Sequence, residues 1–199
     1  MTGGAGYIGS HVVYSLLESD IEKNIIVIDN LSNSNVINLQ NIEKFLNKKI
    51  IFINCDLKDK SKLNEVFKNY DFDFVFHFAG LKSVSESVNY PEKYYYNNVL
   101  GSKNLFSLAK KFKIKNLIFS SSATVYGNPL FLPLNENHPL EAINPYGQNK
   151  IDIEHLLMND HYFTDCCSVK ILRYFNPIGA HLSGIIGENP IGIPNNLMP

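Results

Sequence analysis

The chain has 199 residues, 45% hydrophobic and 19% charged, with 18 Lys and Arg against 19 Asp and Glu for a formal net charge of -1. That balance excludes disorder of the whole chain and is enough to bury one large core. It also excludes a strongly basic nucleic-acid binder, since Arg173 is the only arginine available for bidentate phosphate or guanine contacts.

From the N-terminus, short β-branched runs alternate with longer amphipathic segments. Helical patterns cover Gly6 to Ser19, Val36 to Asn47, Lys60 to Tyr70, Glu92 to Phe112 and Tyr146 to Asp160. Strands are expected at Ile25 to Asp29, Ile50 to Asn54, Phe74 to Phe78, Leu117 to Ser121 and Val169 to Tyr174. Their near-continuous apolar character predicts a sheet covered on both faces. Strict alternation of strand and helix predicts right-handed crossovers and an α/β fold with a doubly wound parallel sheet. Gly127 to Pro145 carries four prolines and is expected to be a long surface loop. From Pro177 the text turns Gly- and Pro-rich. It is expected to open a second, substrate-binding region (177–199) after a dinucleotide-binding domain (1–176).

Apolar runs such as Ile25-Ile26-Val27-Ile28 fall far short of the ~20 residues that cross a bilayer, so no membrane partner is expected. No basic patch followed by an apolar stretch opens the chain, and no secretory signal is read there. Three cysteines, Cys55, Cys166 and Cys167, show no metal-ligand spacing and fit reduced thiols in a cytoplasmic protein.

Gly3-x-x-Gly6-x-x-Gly9 opens the first helical pattern, and Asp29 ends the next strand, 20 residues after Gly9. Glycines allow a tight turn and a close approach to pyrophosphate. The helix N-terminus offers free N–H groups, and the acid accepts from an adenosine ribose hydroxyl. The bland alternative is a glycine-rich turn beside an unrelated aspartate. An ionised Asp29 repels a 2'-phosphate, which favours NAD over NADP. A Rossmann-type unit of this kind needs a strand before the glycine loop, yet only Met1 and Thr2 precede Gly3. Losing two or three buried aliphatics forfeits roughly 5 kcal/mol at ~1.5 to 3 kcal/mol each, against a net stability of ~5 to 15 kcal/mol. We therefore expect a first strand that is missing by truncation, leaving a gap or a two-residue stub between the strands that begin at Ile25 and Phe74.

Tyr146 and Lys150 stand four apart, on one face of a helix. A phenol titrating near ~10 needs a drop of about 3 units, or ~4 kcal/mol, to act as a base at neutral pH. One positive charge ~6 Å away supplies roughly 3 kcal/mol at an effective dielectric of ~20. Lys150 together with an oxidised nicotinamide is thus expected to acidify Tyr146. The spacing alone also fits a surface Tyr-Lys pair. Ser120-Ser121-Ser122-Ala123-Thr124 ends the fourth strand, where ligands of open parallel sheets bind, and its hydroxyls can hold a sugar hydroxyl losing its proton.

With these residues in place, the chain resembles the UDP-glucose 4-epimerases of the extended short-chain dehydrogenase/reductase superfamily. The likeness runs from Thr2 to Pro199. It rests on Thr2 to Ser10, His77-Phe-Ala-Gly-Leu-Lys82, Ser120 to Gly127, Tyr146 with Lys150, Arg173-Tyr-Phe-Asn-Pro177 and Ile193 to Pro199. The resemblance implies that Tyr146 takes the proton of the sugar 4-hydroxyl while C4 gives hydride to NAD. The 4-keto sugar then turns over and is reduced on its other face. By the same resemblance Lys150 lowers the tyrosine pKa and holds the nicotinamide ribose, and Ser122 and Thr124 contact the reacting hydroxyl. Gly3, Gly6, Tyr7, Ile8 and Gly9 form the phosphate loop, and Asp29 and Asn30 hold the adenosine ribose. Asp56 and Leu57 border the adenine, and Phe78, Ala79, Gly80, Lys82, Asn98 and Tyr174 line the rest of the cofactor channel. Lys82, Asn176, Asn196 and Leu197 join Ser122, Thr124 and Tyr146 around UDP-glucose or UDP-galactose.

Three expectations stay open beside this. His77 is expected to be a packed strand-end residue, and the six histidines form no ligand spacing, so no metal is proposed. Tyr94-Tyr95-Tyr96 fits either a homodimer contact or the helix-to-sheet core. The isolated 199 residues are expected to be inactive or to bind NAD only weakly. Two rival readings remain, a nucleotide-sugar dehydratase and a non-catalytic NAD-binding fragment. Ala123-Thr124 stands where dehydratases carry an Asp-Glu pair.

Overall fold

Residues 1–19 and 24–189 are described by the computed structural model of the chain. Helix α1 spans Tyr7–Glu18, β1 Ile26–Asp29, α2 Ile37–Leu46, β2 Ile51–Asn54, α3 Lys60–Asn69 and β3 Phe74–His77. Then follow α4 Val84–Asn89, α5 Pro91–Tyr94, α6 Gly101–Lys111, β4 Asn116–Ser122, α7 Pro145–Met158 and β5 Ser168–Tyr174. Strand β1 pairs with β2 in parallel from Ile26↔Ile51 to Asp29↔Asn54. Strands β3, β4 and β5 lie in that order, β4 and β5 in parallel from Asn116↔Ser168 to Ser122↔Tyr174. All five expected strands form, within two residues of their expected limits.

The chain divides into two compact units, Met1–Asp56 with His77–Ala79 and Asn176–Pro199, and Leu57–Phe76 with Gly80–Phe175. In the first, Thr2 bridges Ile28 and His77, each in parallel. Ile28 N–H donates to the Met1 carbonyl (2.8 Å), Gly3 N–H to Ile28 (2.9 Å), and Phe78 N–H to Thr2 (3.0 Å). The expected two-residue stub is therefore present. Its Met1 ammonium is buried and donates to the Ile26 carbonyl at 2.6 Å, and that burial pulls its pKa down to about 5. Around the stub, Ala5, Val13, Tyr14, Leu17, Val27, Leu39 and Ile42 form a core that Ile186 joins from the C-terminal segment.

The second unit is built on β4, whose Leu117 and Phe119 are 1% exposed. Phe106 of α6 packs edge-on to Phe119 at 6.5 Å and to Phe163 at 5.7 Å. Val125, Tyr126 and Ile151 form a smaller cluster beside the Gly127 to Pro145 segment, which holds no regular element through residue 144, as expected of a loop.

Two expectations need correction, and helix α4 is an addition to the expected elements. The sheet is not covered throughout: β1 is buried along its length, but Ile51 and Asn54 of β2 are exposed, and β5 has no residue in the buried class. Both are terminal strands in their runs, so covering elements reach them less completely. The single helix expected over Glu92 to Phe112 is interrupted, because Tyr95–Leu100 is π-helical between α5 and α6. A π turn displaces one backbone carbonyl from the ordinary ladder. Here the buried Ser102 hydroxyl donates 2.6 Å to the Asn98 carbonyl. Helix α4 lay in text that had no periodic signal. Its start is set by Ser83, whose hydroxyl accepts from Glu86 N–H at 3.2 Å.

Candidate active site

The glycine loop belongs to the first unit. Gly3 has φ +70, and a Cβ there would lie 2.5 Å from the Ala79 nitrogen, so both its conformation and its space demand glycine. A Cβ on Gly9 would collide with the Gly3 carbonyl oxygen at 2.2 Å, whereas one on Gly6 would meet only that oxygen at 3.4 Å. Gly6 caps α1 without any side-chain hydrogen bond, leaving the helix N-terminus open to an anion. Ile8 is half-buried. Tyr7 turns its hydroxyl toward the Gly179 carbonyl at 2.6 Å.

Asp29 is 7% exposed and holds this loop in place. Its Oδ2 accepts from Ala5 N–H at 3.1 Å, and its Oδ1 from Leu31 N–H at 3.0 Å and the Ser34 hydroxyl at 2.8 Å. A carboxylate has about four lone-pair positions, so three donors leave room for a ribose hydroxyl. Asn30 donates to Asp56 at 3.0 Å, tying the ends of β1 and β2. His77 is 1% exposed and its Nδ1 pairs with the Thr2 hydroxyl at 2.7 Å, the packed role expected of it.

The reactive hydroxyls belong to the second unit. Asn144 caps α7 by accepting from Gly147 N–H at 2.8 Å, and Pro145 fixes the first helical φ. Gly147 is required by packing, since a Cβ would lie 2.8 Å from the Thr124 carbonyl oxygen. Ser122 accepts from Thr124 N–H at 3.2 Å and from the Thr124 hydroxyl at 3.0 Å, and it lies near enough to the Tyr146 phenol to lower its pKa. Lys150, 6% exposed, donates to the Ser120 carbonyl at 2.7 Å. Its ammonium lies 4.9 Å from the Phe119 ring centre and 5.6 Å from that of Tyr146. The structure thus brings Tyr146, Lys150, Ser122 and Thr124 together.

The expectation joined Lys150 to an oxidised nicotinamide, and the electrostatics of the cofactor-free protein show what burial alone does. Burial pushes the Tyr146 phenol above its ordinary value, and the Ser122 hydroxyl beside it only offsets this. Burial also pulls Lys150 down to about 8, opposed by the Glu154 carboxylate. At a pKa of about 8 Lys150 still carries its charge at pH 7. In the cofactor-free protein the burial of the phenol nevertheless outweighs every lowering influence on Tyr146.

Asn98 is 3% exposed and turns its amide to the neighbouring loop, accepting from Leu81 N–H at 2.8 Å and donating to the Leu81 carbonyl at 3.0 Å. It positions Gly80, whose Cβ would sit 3.9 Å from the Lys150 nitrogen. Phe78 and Ala79 are half-buried in the first unit. In the second, Leu57 is buried, Tyr174 is half-buried and Lys82 is exposed. Asn176 is exposed, while Asn196, Leu197 and the Ile193 to Pro199 phrase lie outside the described residues. Of the tyrosine run, Tyr94 is fully buried, whereas Tyr95 and Tyr96 are 49% and 56% exposed.

Sequence reasoning missed one part of this cluster. Glu154 is fully buried on α7 and receives Arg173 through two contacts, at 3.1 and 2.7 Å, together with the Ser121 hydroxyl. Its signal was the spacing 146, 150, 154 together with the single arginine.

The chain matches the NAD dependent epimerase/dehydratase family over residues 1–194. The chain belongs to that family. It is 50% identical to the UDP-glucose 4-epimerase of Bacillus subtilis over all 199 residues, and 47% identical to UDP-glucose 4-epimerase 2 of Arabidopsis thaliana. It spans 58% and 57% of the lengths of those two relatives. Among solved structures, the UDP-glucose 4-epimerase of Bifidobacterium longum in complex with NAD+ and UDP is 43% identical. It matches with a TM-score of 0.93 over 98% of this chain and 58% of its own. The Rossmann-type fold expected of the epimerase/dehydratase family is therefore established, as is the family resemblance. Among the described residues no helix is long and apolar enough to cross a membrane, and no His, Cys, Asp and Glu cluster could hold a metal.

Proposed function

We propose that the chain carries the NAD-binding and proton-transfer machinery of a UDP-glucose 4-epimerase, which interconverts UDP-glucose and UDP-galactose. The observation that carries this reading is the gathering of Tyr146, Lys150, Ser122 and Thr124 at the C-terminal end of β4. The residues fit a dinucleotide: α1 begins uncapped beside the open face of Gly6, and Asp29 keeps a free lone pair. When bound, NAD supplies the hydride acceptor and, in its oxidised ring, a positive charge.

In this reading Asp29 and Asn30 hold the adenosine ribose, and Asp56 and Leu57 border the adenine. The residues Phe78, Ala79, Gly80, Lys82, Asn98 and Tyr174 shape the remaining channel. Lys150 holds the nicotinamide ribose. Ser122 and Thr124 orient the sugar 4-hydroxyl, and Tyr146 receives its proton and later returns it. Asn176, Asn196 and Leu197 grip the UDP-sugar, the residues from 177 opening the region that receives it. The exposed Tyr95 and Tyr96 support association of two copies along their helix. Against a dehydratase, the segment after β4 offers Ala123 and a Thr124 hydroxyl already bonded to Ser122, with no carboxylate to assist loss of water.

Expressed from its complete reading frame with NAD, the protein is expected to convert UDP-galactose to UDP-glucose. Loss of the general base in Tyr146→Phe should slow turnover by about 10² to 10⁴. Wild-type protein that binds NAD but shows no turnover above this control would support a non-catalytic binding role instead.

A further inference from the structure

The face of α7 that presents Tyr146 and Lys150 continues one turn further to Glu154, and all three meet the end of β4. Ser122 lies beside the Tyr146 phenol, the Ser120 carbonyl receives Lys150, and the Ser121 hydroxyl donates to Glu154. Alternation along the strand places the Phe119 and Ser121 side chains on one face. Both meet α7, Phe119 under the Lys150 ammonium and Ser121 at Glu154. The last of these contacts is clamped from the neighbouring strand. Arg173 stands opposite Ser121 in the β4–β5 register and grips both oxygens of the fully buried Glu154. A third nitrogen donates 3.1 Å to the Tyr126 hydroxyl, at the end of the turn that carries Thr124.

A buried ion pair is weak evidence for stability, since apolar residues of similar volume often serve as well or better. Its geometric demand is what distinguishes it: a fork-to-fork contact tolerates little sliding of a helix along a strand. We propose that Glu154, held between Ser121 and Arg173, is a positioning residue that sets α7 on β4 and so seats Lys150 and Tyr146 for proton transfer. The groups facing Lys150 support this. Tyr146 and Glu154 come from its own helix and the Ser120 carbonyl and Phe119 ring from β4, while Arg173 of β5 stands behind Glu154. Glu154 is the anion among them, and it favours the charged form of Lys150 against the effect of burial.

The test has two arms, and its kinetic arm rests on the epimerase reading. In the NAD-loaded protein from the complete reading frame, the apolar double variant Glu154→Leu with Arg173→Met should keep its melting temperature. Its kcat for UDP-galactose should fall at least tenfold, with KM within twofold. Glu154→Gln, which keeps one acceptor for Ser121 or Arg173, should recover part of that loss. A stable double variant with wild-type kcat would overturn the proposal. The second arm needs no activity: in the cofactor-free protein with 15N-labelled lysines, the Lys150 ammonium resonance, assigned with Lys150→Arg, should titrate near 8. In Glu154→Gln its titration should move lower, and an unmoved titration in a folded variant would equally overturn the proposal. Absence of wild-type turnover would count against the epimerase reading alone, and the lysine titration would still decide the role of Glu154.

Discussion

Replacing Lys150 by methionine should make the protein more stable at neutral pH while removing its activity. An ordinary lysine titrates at 10.5 and Lys150 at about 8, chiefly because burial strips its ammonium of water. At ~1.4 kcal/mol per pH unit, that gap means the folded state bears about 3 kcal/mol for holding the cation at pH 7. Methionine has similar length and no charge, but it leaves the Ser120 carbonyl without its 2.7 Å donor, a loss of about 1 kcal/mol. The net expectation is a gain of about 2 kcal/mol for Lys150→Met. Because the unfolded chain binds this proton more readily, the penalty on the wild type is complete below pH 8 and disappears as pH rises past 10.5. Urea unfolding of both proteins at pH 7 and pH 10 should therefore show the wild type recovering about 2 kcal/mol relative to the variant. Destabilisation of Lys150→Met at pH 7, or a difference that does not change with pH, would refute the reasoning.

Other outcomes follow from the same geometry. Gly6→Ala should leave the melting temperature nearly unchanged and weaken NAD binding, because its Cβ enters space kept open for phosphate. Gly9→Ala should lose roughly 1 to 3 kcal/mol of stability, because its Cβ meets backbone that cannot move aside. In Asp29→Asn only one oxygen remains to accept from the three donors now bonded. Denaturation should show a loss of about 1 to 3 kcal/mol, and calorimetry a weaker affinity for NAD. Cofactor-free protein should show the Tyr146 phenol, read as the ultraviolet difference from Tyr146→Phe, titrating above its ordinary value. NAD+ should move that titration downward, and NADH, whose ring carries no charge, should move it less.

The strands were legible because each is a short, largely apolar run bounded by polar or turn residues. The long helix was misread because a π turn leaves no mark on apolar periodicity. The buried Asn98, paired with the Leu81 backbone, is the reason that polar residue sits on the inner face, and that pairing is made at long range. The Tyr146 and Lys150 pairing was legible from spacing on one helix, and so in principle was Glu154. What spacing cannot carry is dielectric. The expected acidification assumed a charge at ~6 Å in a medium of effective dielectric ~20, whereas Lys150 is 6% exposed and its own cation is disfavoured. The expected acidification joined Lys150 to an oxidised nicotinamide, and in the cofactor-free protein burial of the phenol dominates instead.

The burial of both groups bears on how such a site can work. Raised by burial, the Tyr146 phenol is protonated in the empty protein, and in the epimerase reading proton abstraction would need a second positive charge beside it. The oxidised nicotinamide is positive, and its reduced form is neutral. In the epimerase reading the ionised fraction of Tyr146 would follow the redox state of the cofactor. Beside the positive ring more of the phenol would be ready to accept the sugar proton, and beside the neutral ring the phenol would be held protonated. Lys150, a buried cation at pH 7, would contribute a directed hydrogen bond and a fixed position beside its charge. Lys150→Arg keeps a permanent charge but cannot reproduce the single ammonium contact with Ser120. If position matters more than charge, Lys150→Arg should lose nearly as much kcat as Lys150→Met, and recovery of near-wild-type kcat by arginine would show that charge alone suffices.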